Sequence, residues 1–174
     1  TAFEVLDAEM RQGIINRLDF MVSESEILIP MISVELQSKL EQIGIESSVN
    51  GRMKTPYSIW TKMQRKKVSM DQLADIMAFR VLVPDISDCY RALGQLHLNY
   101  PTVMGRFKDY ISTPKRNGYQ SLHTGVIGPE NHKIEVQIRT PEMHNIAEHG
   151  VAAHWIYKET RSRSNSISVK WIQE

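Results

Sequence analysis

The stretch Gly105–Thr140, GRFKDYISTPKRNGYQSLHTGVIGPENHKIEVQIRT, decides the fold. Near its end Ile134, Val136 and Ile138 alternate with Glu135, Gln137 and Arg139. Strict alternation marks a strand with one buried face. The aliphatic face is the buried one, so the other displays a carboxylate, an amide and a guanidinium together. Just upstream, Pro114-Lys115-Arg116-Asn117-Gly118 is a basic turn that opens onto Tyr119, and the stretch begins with Arg106, Lys108 and Asp109. A polar strand face beside a basic turn reads as the floor of a site for an anionic, phosphorylated ligand. The Asn117-Gly118 pair predicts a tight turn. Phe107 to Ile111 reads as a short strand or turn and Gln120 to Ile127 as a strand. Gly128-Pro129-Glu130-Asn131 closes a hairpin into the strand at Lys133 to Arg139.

Toward the N-terminus, Tyr100 to Gly105 is a loop. Asp88 to Asn99 predicts an amphipathic helix with Tyr90, Leu93, Leu96 and His97 on one side, ended by Pro101; His97 reads as an edge residue of that face. Asp75 to Pro84 reads as a mostly buried strand carrying Arg80, whose guanidinium needs a partner. Asp71 to Leu73 is a short helical turn. Between Gly51 and Met70 there is no acidic residue. Thr55 and Pro56 form a cap and a first helical residue, opening a helix that carries Ser58, Lys62, Arg65, Lys66 and Lys67. A helix N-terminus with basic side chains suits an anion. Ser58 and Lys62 share a face, with Lys54 just before the helix. Ile43 to Gly51 predicts a strand ending in an Asn50-Gly51 turn. Before it, helical spacing predicts two packing helices, about Phe3 to Val22 and Ser25 to Ile43, with Pro30 near the first turn of the second.

After the central stretch, Thr140 caps a helix from Pro141 to Lys158. His144, His149 and His154 fall five apart on it and do not share a face, which argues against a zinc site. Thr160 to Ser168, rich in Ser and Arg, reads as a linker.

The chain has 174 residues, a net charge of +1 and one cysteine. Its length suffices for one domain with a core. A single cysteine excludes an internal disulfide framework and makes a reducing cytoplasm the expectation. No apolar run approaches membrane-spanning length. The start at Thr1 predicts a piece of a longer protein.

Two acids, Asp75 and Glu135, sit on separate predicted strands, flanked by Arg52, Lys54 and Lys62 on one side and by Arg106, Lys108 and Lys115 on the other. Phosphoryl-type transfer needs this division. Carboxylates hold Mg²⁺, basic groups neutralise phosphate charge, and one carboxylate takes the proton of an attacking hydroxyl. Tyr119 offers a flat face for a base.

The blocks GRMKTPYS at Gly51–Ser58, DIMAFR at Asp75–Arg80, RFKDYI at Arg106–Ile111, PKRNGYQSLH at Pro114–His123, EVQIRT at Glu135–Thr140 and the segment His144–Trp155 resemble the RelA/SpoT family, and within it the (p)ppGpp synthetase domain. The resemblance implies an α+β fold, a nucleotidyltransferase-like mixed β-sheet flanked by helices. It divides the chain into N-terminal helices over 1–44, a synthetase core over 45–159 and a polar tail over 160–174. It implies Mg²⁺-dependent transfer of the β,γ-pyrophosphoryl unit of ATP to the ribose 3′-OH of GDP or GTP, releasing AMP. By the same resemblance Arg52 and Arg80 sandwich the adenine, and Lys54, Ser58, Lys62 and Arg65 hold the ATP phosphates. Asp75 and Glu135 bind Mg²⁺, with Glu135 also the base. Tyr119 stacks on guanine, Lys115 and Asn117 lie beside the acceptor nucleotide, and His123 faces phosphate. Arg106 and Lys108 belong to a basic version of a motif that points to the bifunctional type, accepting GDP and GTP. Contact with a ribosome or nucleic acid would come only through other parts of a parent protein. The rival readings are an RNA-binding module built on Gly51 to Lys67, which has no need of paired acids, and a nucleotide-binding regulatory domain without turnover, which expects motif losses that are absent. Asp75 and Arg80 are an odd number apart, so a regular strand puts them on opposite faces. Either Asp75 precedes the regular strand or a bulge intervenes.

Overall fold

A computed structural model describes residues 8–67 and 76–150. Its elements are α1 (Ala8–Glu41), β1 (Ser48–Met53), α2 (Pro56–Lys66), β2 (Met77–Leu82), α3 (Ile86–Asn99), β3 (Lys108–Asp109), β4 (Leu122–Ile127), β5 (Lys133–Arg139) and a helix α4 over 141–150. The strands form one sheet in the order β1-β2-β5-β4-β3. The β2–β5 pair is parallel and the other pairs are antiparallel. This is the mixed sheet flanked by helices that the family resemblance implies. No helix among the described residues is long and apolar enough to cross a membrane.

The core lies on one side of the sheet. Phe79, Val81, Ile134, Val136 and Ile138 face Ile32, Leu36 and Leu40 of α1 and Cys89, Ala92 and Leu96 of α3. The two expected N-terminal helices are instead one, α1, running through Pro30. The serines ahead of the proline do not end it, because Ser23 and Ser25 donate to the carbonyls of Phe20 and Val22 inside the helix. Proline lacks the N–H that Glu26's carbonyl would accept, and Glu26 is exposed to water. A proline inside a helix costs roughly 3 kcal/mol. Burying Ile32, Leu36 and Leu40 returns about 1.5–3 kcal/mol for each, so packing outweighs the break.

The Asn50-Gly51 pair is not a turn but the middle of β1, where Gly51 pairs with Phe79. A Cβ on Gly51 would lie 2.5 Å from the Phe79 ring and 2.7 Å from Ile29. The glycine is there for close approach. The turn into β1 is made earlier by Gly44, at φ +74°, whose N–H bonds the Glu41 carbonyl.

In α3 the buried stripe is Cys89, Ala92 and Leu96, with Asp85 capping the Asp88 N–H at 2.8 Å. Tyr90 does not share that stripe. It is exposed and its hydroxyl donates to Asp109 Oδ2 at 2.9 Å. His97 is an edge residue, half-buried, paired with the Thr124 hydroxyl at 2.8 Å. The expected caps at Thr55 and Thr140 are both present: Thr55 Oγ1 accepts from Ser58 N–H and Thr140 Oγ1 from Met143 N–H. The Asp71–Leu73 turn, Asp75, and the chain beyond residue 150 lie outside the described residues.

Candidate active site

Register places the polar residues of the second sheet face in rows. One row crosses four strands as Arg52, Ala78, Glu135 and Gly125. The next crosses all five as Asn50, Arg80, Gln137, His123 and Lys108. Glu135 therefore stands between Ala78 and Gly125, and the Arg106 side chain fills the space over Gly125. The Asp75 end of the parity problem is outside the described residues, and β2 begins only at Met77.

Two basic clefts adjoin this face. The first, about 430 Å³, is lined by Arg52, Lys54, Ser58, Thr61, Lys62 and Arg65. The second, about 390 Å³, shares Lys62 and Arg65 and adds Arg106, Lys108, Tyr110, His123 and Glu135. Cations thus converge from β1, α2 and the loop before β3. Arg106 is held in place by a bare backbone: a Cβ on Gly125 would meet its Cβ at 2.9 Å. That loop lies along β4, with Val103 N–H bonded to the Gly125 carbonyl at 2.8 Å.

The carboxylate itself is tied at both oxygens. Lys54 Nζ lies 2.7 Å from Glu135 Oε2, and Gln137 Nε2 donates to Oε1 at 2.9 Å. Arg139 donates to Gln137 Oε1 and, at 3.1 Å, to the Tyr119 hydroxyl. Tyr119 in turn pairs with His123 Nε2 at 2.7 Å. A guanidinium only donates, so the Tyr119 oxygen accepts from Arg139 and its O–H can donate to His123 Nε2, with the imidazole proton then on Nδ1. Burial pushes the His123 pKa down to about 4, with Arg139, Lys115 and Lys54 adding to the effect and Glu135 opposing it. A neutral ring is the form that can accept the Tyr119 O–H.

Tyr119 is not a free face. Lys115 Nζ sits 5.1 Å from its ring centroid and 4.6 Å from that of Tyr110, while Arg139 lies 5.4 Å from the Tyr119 ring. Tyr110, Tyr119 and His123 pack edge to face. Cation–π contact holds the basic turn over the aromatic cluster. Asn117 is spent locally: its Oδ1 accepts from Tyr119 N–H at 3.1 Å and shapes the Gly118 turn, at φ +81°. The structure does not bring it into either cleft.

Arg80 is half-buried and finds its partner on α4, where Glu148 Oε1 lies 3.4 Å from its Nη2. Arg52 is its diagonal neighbour across β1 and β2, and both line a small depression with Gln137. Of the expected site residues the structure therefore groups Arg52, Lys54, Ser58, Lys62 and Arg65 in one cleft, and Arg106, Lys108, His123 and Glu135 in the other. Lys115 and Tyr119 join through Tyr110 and His123. The sequence predicts no site role for Tyr110 or Gly125, and it places Gln137 and Arg139 on the polar floor of the site without a role of their own. Alternation along β5 was the available signal for the last two.

Fold and site together define an α+β protein with a mixed sheet, one face of which gathers cations around the Glu135 carboxylate. Residues 51–162 match the family described as the region found in RelA / SpoT proteins. The chain belongs to the RelA/SpoT family. It is 47% identical over 164 residues to the GTP pyrophosphokinase rsh of Brucella ovis, an alignment covering 94% of this chain and 22% of that protein. It is 48% identical over 149 residues to the bifunctional (p)ppGpp synthase/hydrolase SpoT of Escherichia coli K12, covering 84% of this chain and 21% of that one. The chain thus spans about a fifth of the length of these curated relatives. Among solved structures, the small alarmone synthetase 1 from Bacillus subtilis shares the fold, with a TM-score of 0.64 at 24% identity over 83% of this chain and 81% of that one.

Proposed function

We propose that this chain is a (p)ppGpp synthetase domain, transferring the β,γ-pyrophosphoryl unit of ATP to the ribose 3′-OH of GDP or GTP and releasing AMP. The observation that carries this reading is the position of Glu135, flanked on the sheet by Ala78 and Gly125 with basic clefts beside it. The names of the relatives, a GTP pyrophosphokinase and a (p)ppGpp synthase/hydrolase, support the same activity.

In this reading the first cleft takes the ATP phosphates on Lys54, Ser58, Lys62 and Arg65, where the exposed N-terminus of α2 adds its partial positive charge. Arg52 and Arg80 take the adenine, and Arg80 exchanges its contact with Glu148 for the base. Tyr119 takes guanine, with Lys115 moved from over the ring and Asn117 holding the turn. Arg106, Lys108 and His123 face the acceptor's phosphates. Glu135 accepts the 3′-OH proton, the 3′ oxygen bonds the β phosphorus, and the bond from that phosphorus to the α,β-bridging oxygen breaks, so AMP departs with the electron pair. Lys54 engages incoming phosphate and releases Glu135 Oε2 for the proton.

Mg²⁺ takes one or two protein carboxylates and completes its shell with water and substrate phosphates. Glu135 is a suitable oxygen donor, half-buried on the face between the clefts; with Asp75, outside the described residues, it would hold the ion. Bound there, Mg²⁺ would neutralise charge on the transferred group. An enzyme that consumes ATP and a guanine nucleotide acts where both are abundant, in the cytoplasm. The test is label transfer from γ-labelled ATP to GDP or GTP with Mg²⁺. Labelled ppGpp or pppGpp, absent with Glu135→Gln, is expected. A wild-type protein that binds neither nucleotide would sink the assignment.

A further inference from the structure

Arg139 is the outlier of the site face. Only 3% of it is exposed, yet no carboxylate among the described residues lies within ion-pair reach. Burial lowers its pKa, and its Nε is buried without a hydrogen-bond partner. A buried cation without a counter-ion is a poor source of stability. It is well placed for something else. Its Nη2 donates to both Gln137 Oε1 and the Tyr119 hydroxyl. A guanidinium has no acceptor, so the side of the Gln137 amide that faces it must be the oxygen. The amide nitrogen is then forced toward Glu135, where it donates to Oε1 at 2.9 Å.

We propose that Gln137 and Arg139 are positioning residues that fix the Glu135 carboxylate in one orientation and tie that orientation to Tyr119. This rests on the function proposed above. Arg139 sets the amide, the amide holds Oε1, and Oε2, paired with Lys54 at 2.7 Å, is the oxygen that takes the proton once Lys54 turns to the incoming phosphate. The donor-only chemistry of one buried side chain thereby selects which oxygen acts. Because the same guanidinium nitrogen holds the Tyr119 hydroxyl, a purine settling on Tyr119 and the base that serves its ribose are linked through a single atom. Neither Gln137 nor Arg139 needs to touch a substrate for this. Misplacing a reacting group by about 1 Å costs on the order of a hundredfold in rate, and partners that orient an active group cost about 10–100-fold when removed.

The test compares Gln137→Met, Arg139→Met and Arg139→Lys with wild type in steady-state transfer assays, with thermal melts alongside. Gln137→Met keeps the side-chain length and loses both hydrogen bonds. It is expected to lower kcat about tenfold with KM for ATP and GDP within about twofold. Arg139→Met is expected to match that kcat loss and also to raise KM for GDP, since Tyr119 loses its partner. Arg139→Lys, still a donor, is expected to recover most of kcat. Wild-type kcat in Gln137→Met overturns the proposal, as does a loss that follows the folded fraction in the melts, or a lysine variant no better than the methionine one. An inactive wild type under the same conditions would bring down the proposed function and this inference with it, an outcome distinct from an active wild type with an indifferent Gln137.

Discussion

On the side of the sheet that meets α1 and α3, Phe79, Val81, Val136 and Ile138 are sealed from water. One residue along each of the same strands, Arg80, Glu135 and Gln137 are partly exposed and hydrogen-bonded or ion-paired. The backbone ladder is shared, so the contrast lies wholly in the side chains. The inner face answers to packing, where area removed from water sets the energy. The outer face holds its polar groups half-satisfied by one another, in contacts that an anionic ligand can replace. A protein can thus carry a crowded set of cations on one side because the other side supplies the stability.

The largest expected effect is Glu135→Gln. General-base loss predicts a fall of about 10²–10⁴ in kcat, with a melting midpoint close to wild type; a comparable fall in both would erase the distinction between the faces. A core-facing residue of the same strand gives the converse. Ile138→Ala is expected to lose about 2–5 kcal/mol of stability, measured by denaturant unfolding, while turnover per folded molecule stays near wild type. Gly51→Ala, which drives a methyl into Phe79, is expected to cost about 1–3 kcal/mol in the same measurement. Survival of Gly51→Ala without loss would mean that β1 packs less tightly than its register says. Tyr119→Leu addresses the outer face alone. Loss of base stacking, worth about 1–3 kcal/mol, should raise KM for GDP and leave KM for ATP unchanged; equal rises in both would place the acceptor base elsewhere.

A pH dependence sharpens the comparison further. His123 has its pKa lowered from 6.5 in the unfolded reference to about 4 by burial. The unfolded chain then binds the proton more readily than the folded one, so the stability this neutral ring contributes is present above about pH 6.5. It is lost progressively as pH falls toward about 4. Melting midpoints over that range should drop, and His123→Gln should flatten the slope. An identical slope in the variant would assign the acid sensitivity to other groups.

Much of this was legible in the sequence, and the reason is local in each case. Alternation in Ile134–Arg139 gives the strand and its two faces from adjacent residues alone. Thr55 and Thr140 cap helices through bonds three residues away, and Asn117-Gly118 shapes its own turn. The basic run over Gly51 to Lys67 and the family motifs likewise lie in contiguous residues, so the fold class and most of the residues around the clefts could be named before any coordinates. The misreadings share the opposite cause. Pro30 and the Ser-rich segment look like a break until α1 is seen buried against the sheet, and Asn50-Gly51 looks like a turn until Phe79 is seen beneath it. Tyr90 shares a helical period with the core stripe but falls outside it, because the direction of the sheet decides which stripe is buried.

By itself the sequence determined most of the elements, the polar face of β5 and the family. Only the tertiary structure decided that β2 and β5 are parallel neighbours, that Glu135 lies between Ala78 and Gly125, and that Lys54 meets a carboxylate 81 residues away. It also decided that Arg139 is buried behind that carboxylate. The physical reason is that periodicity and capping are settled by neighbours along the chain. Register and burial are settled by which distant surfaces exclude water together, and no local pattern records that pairing.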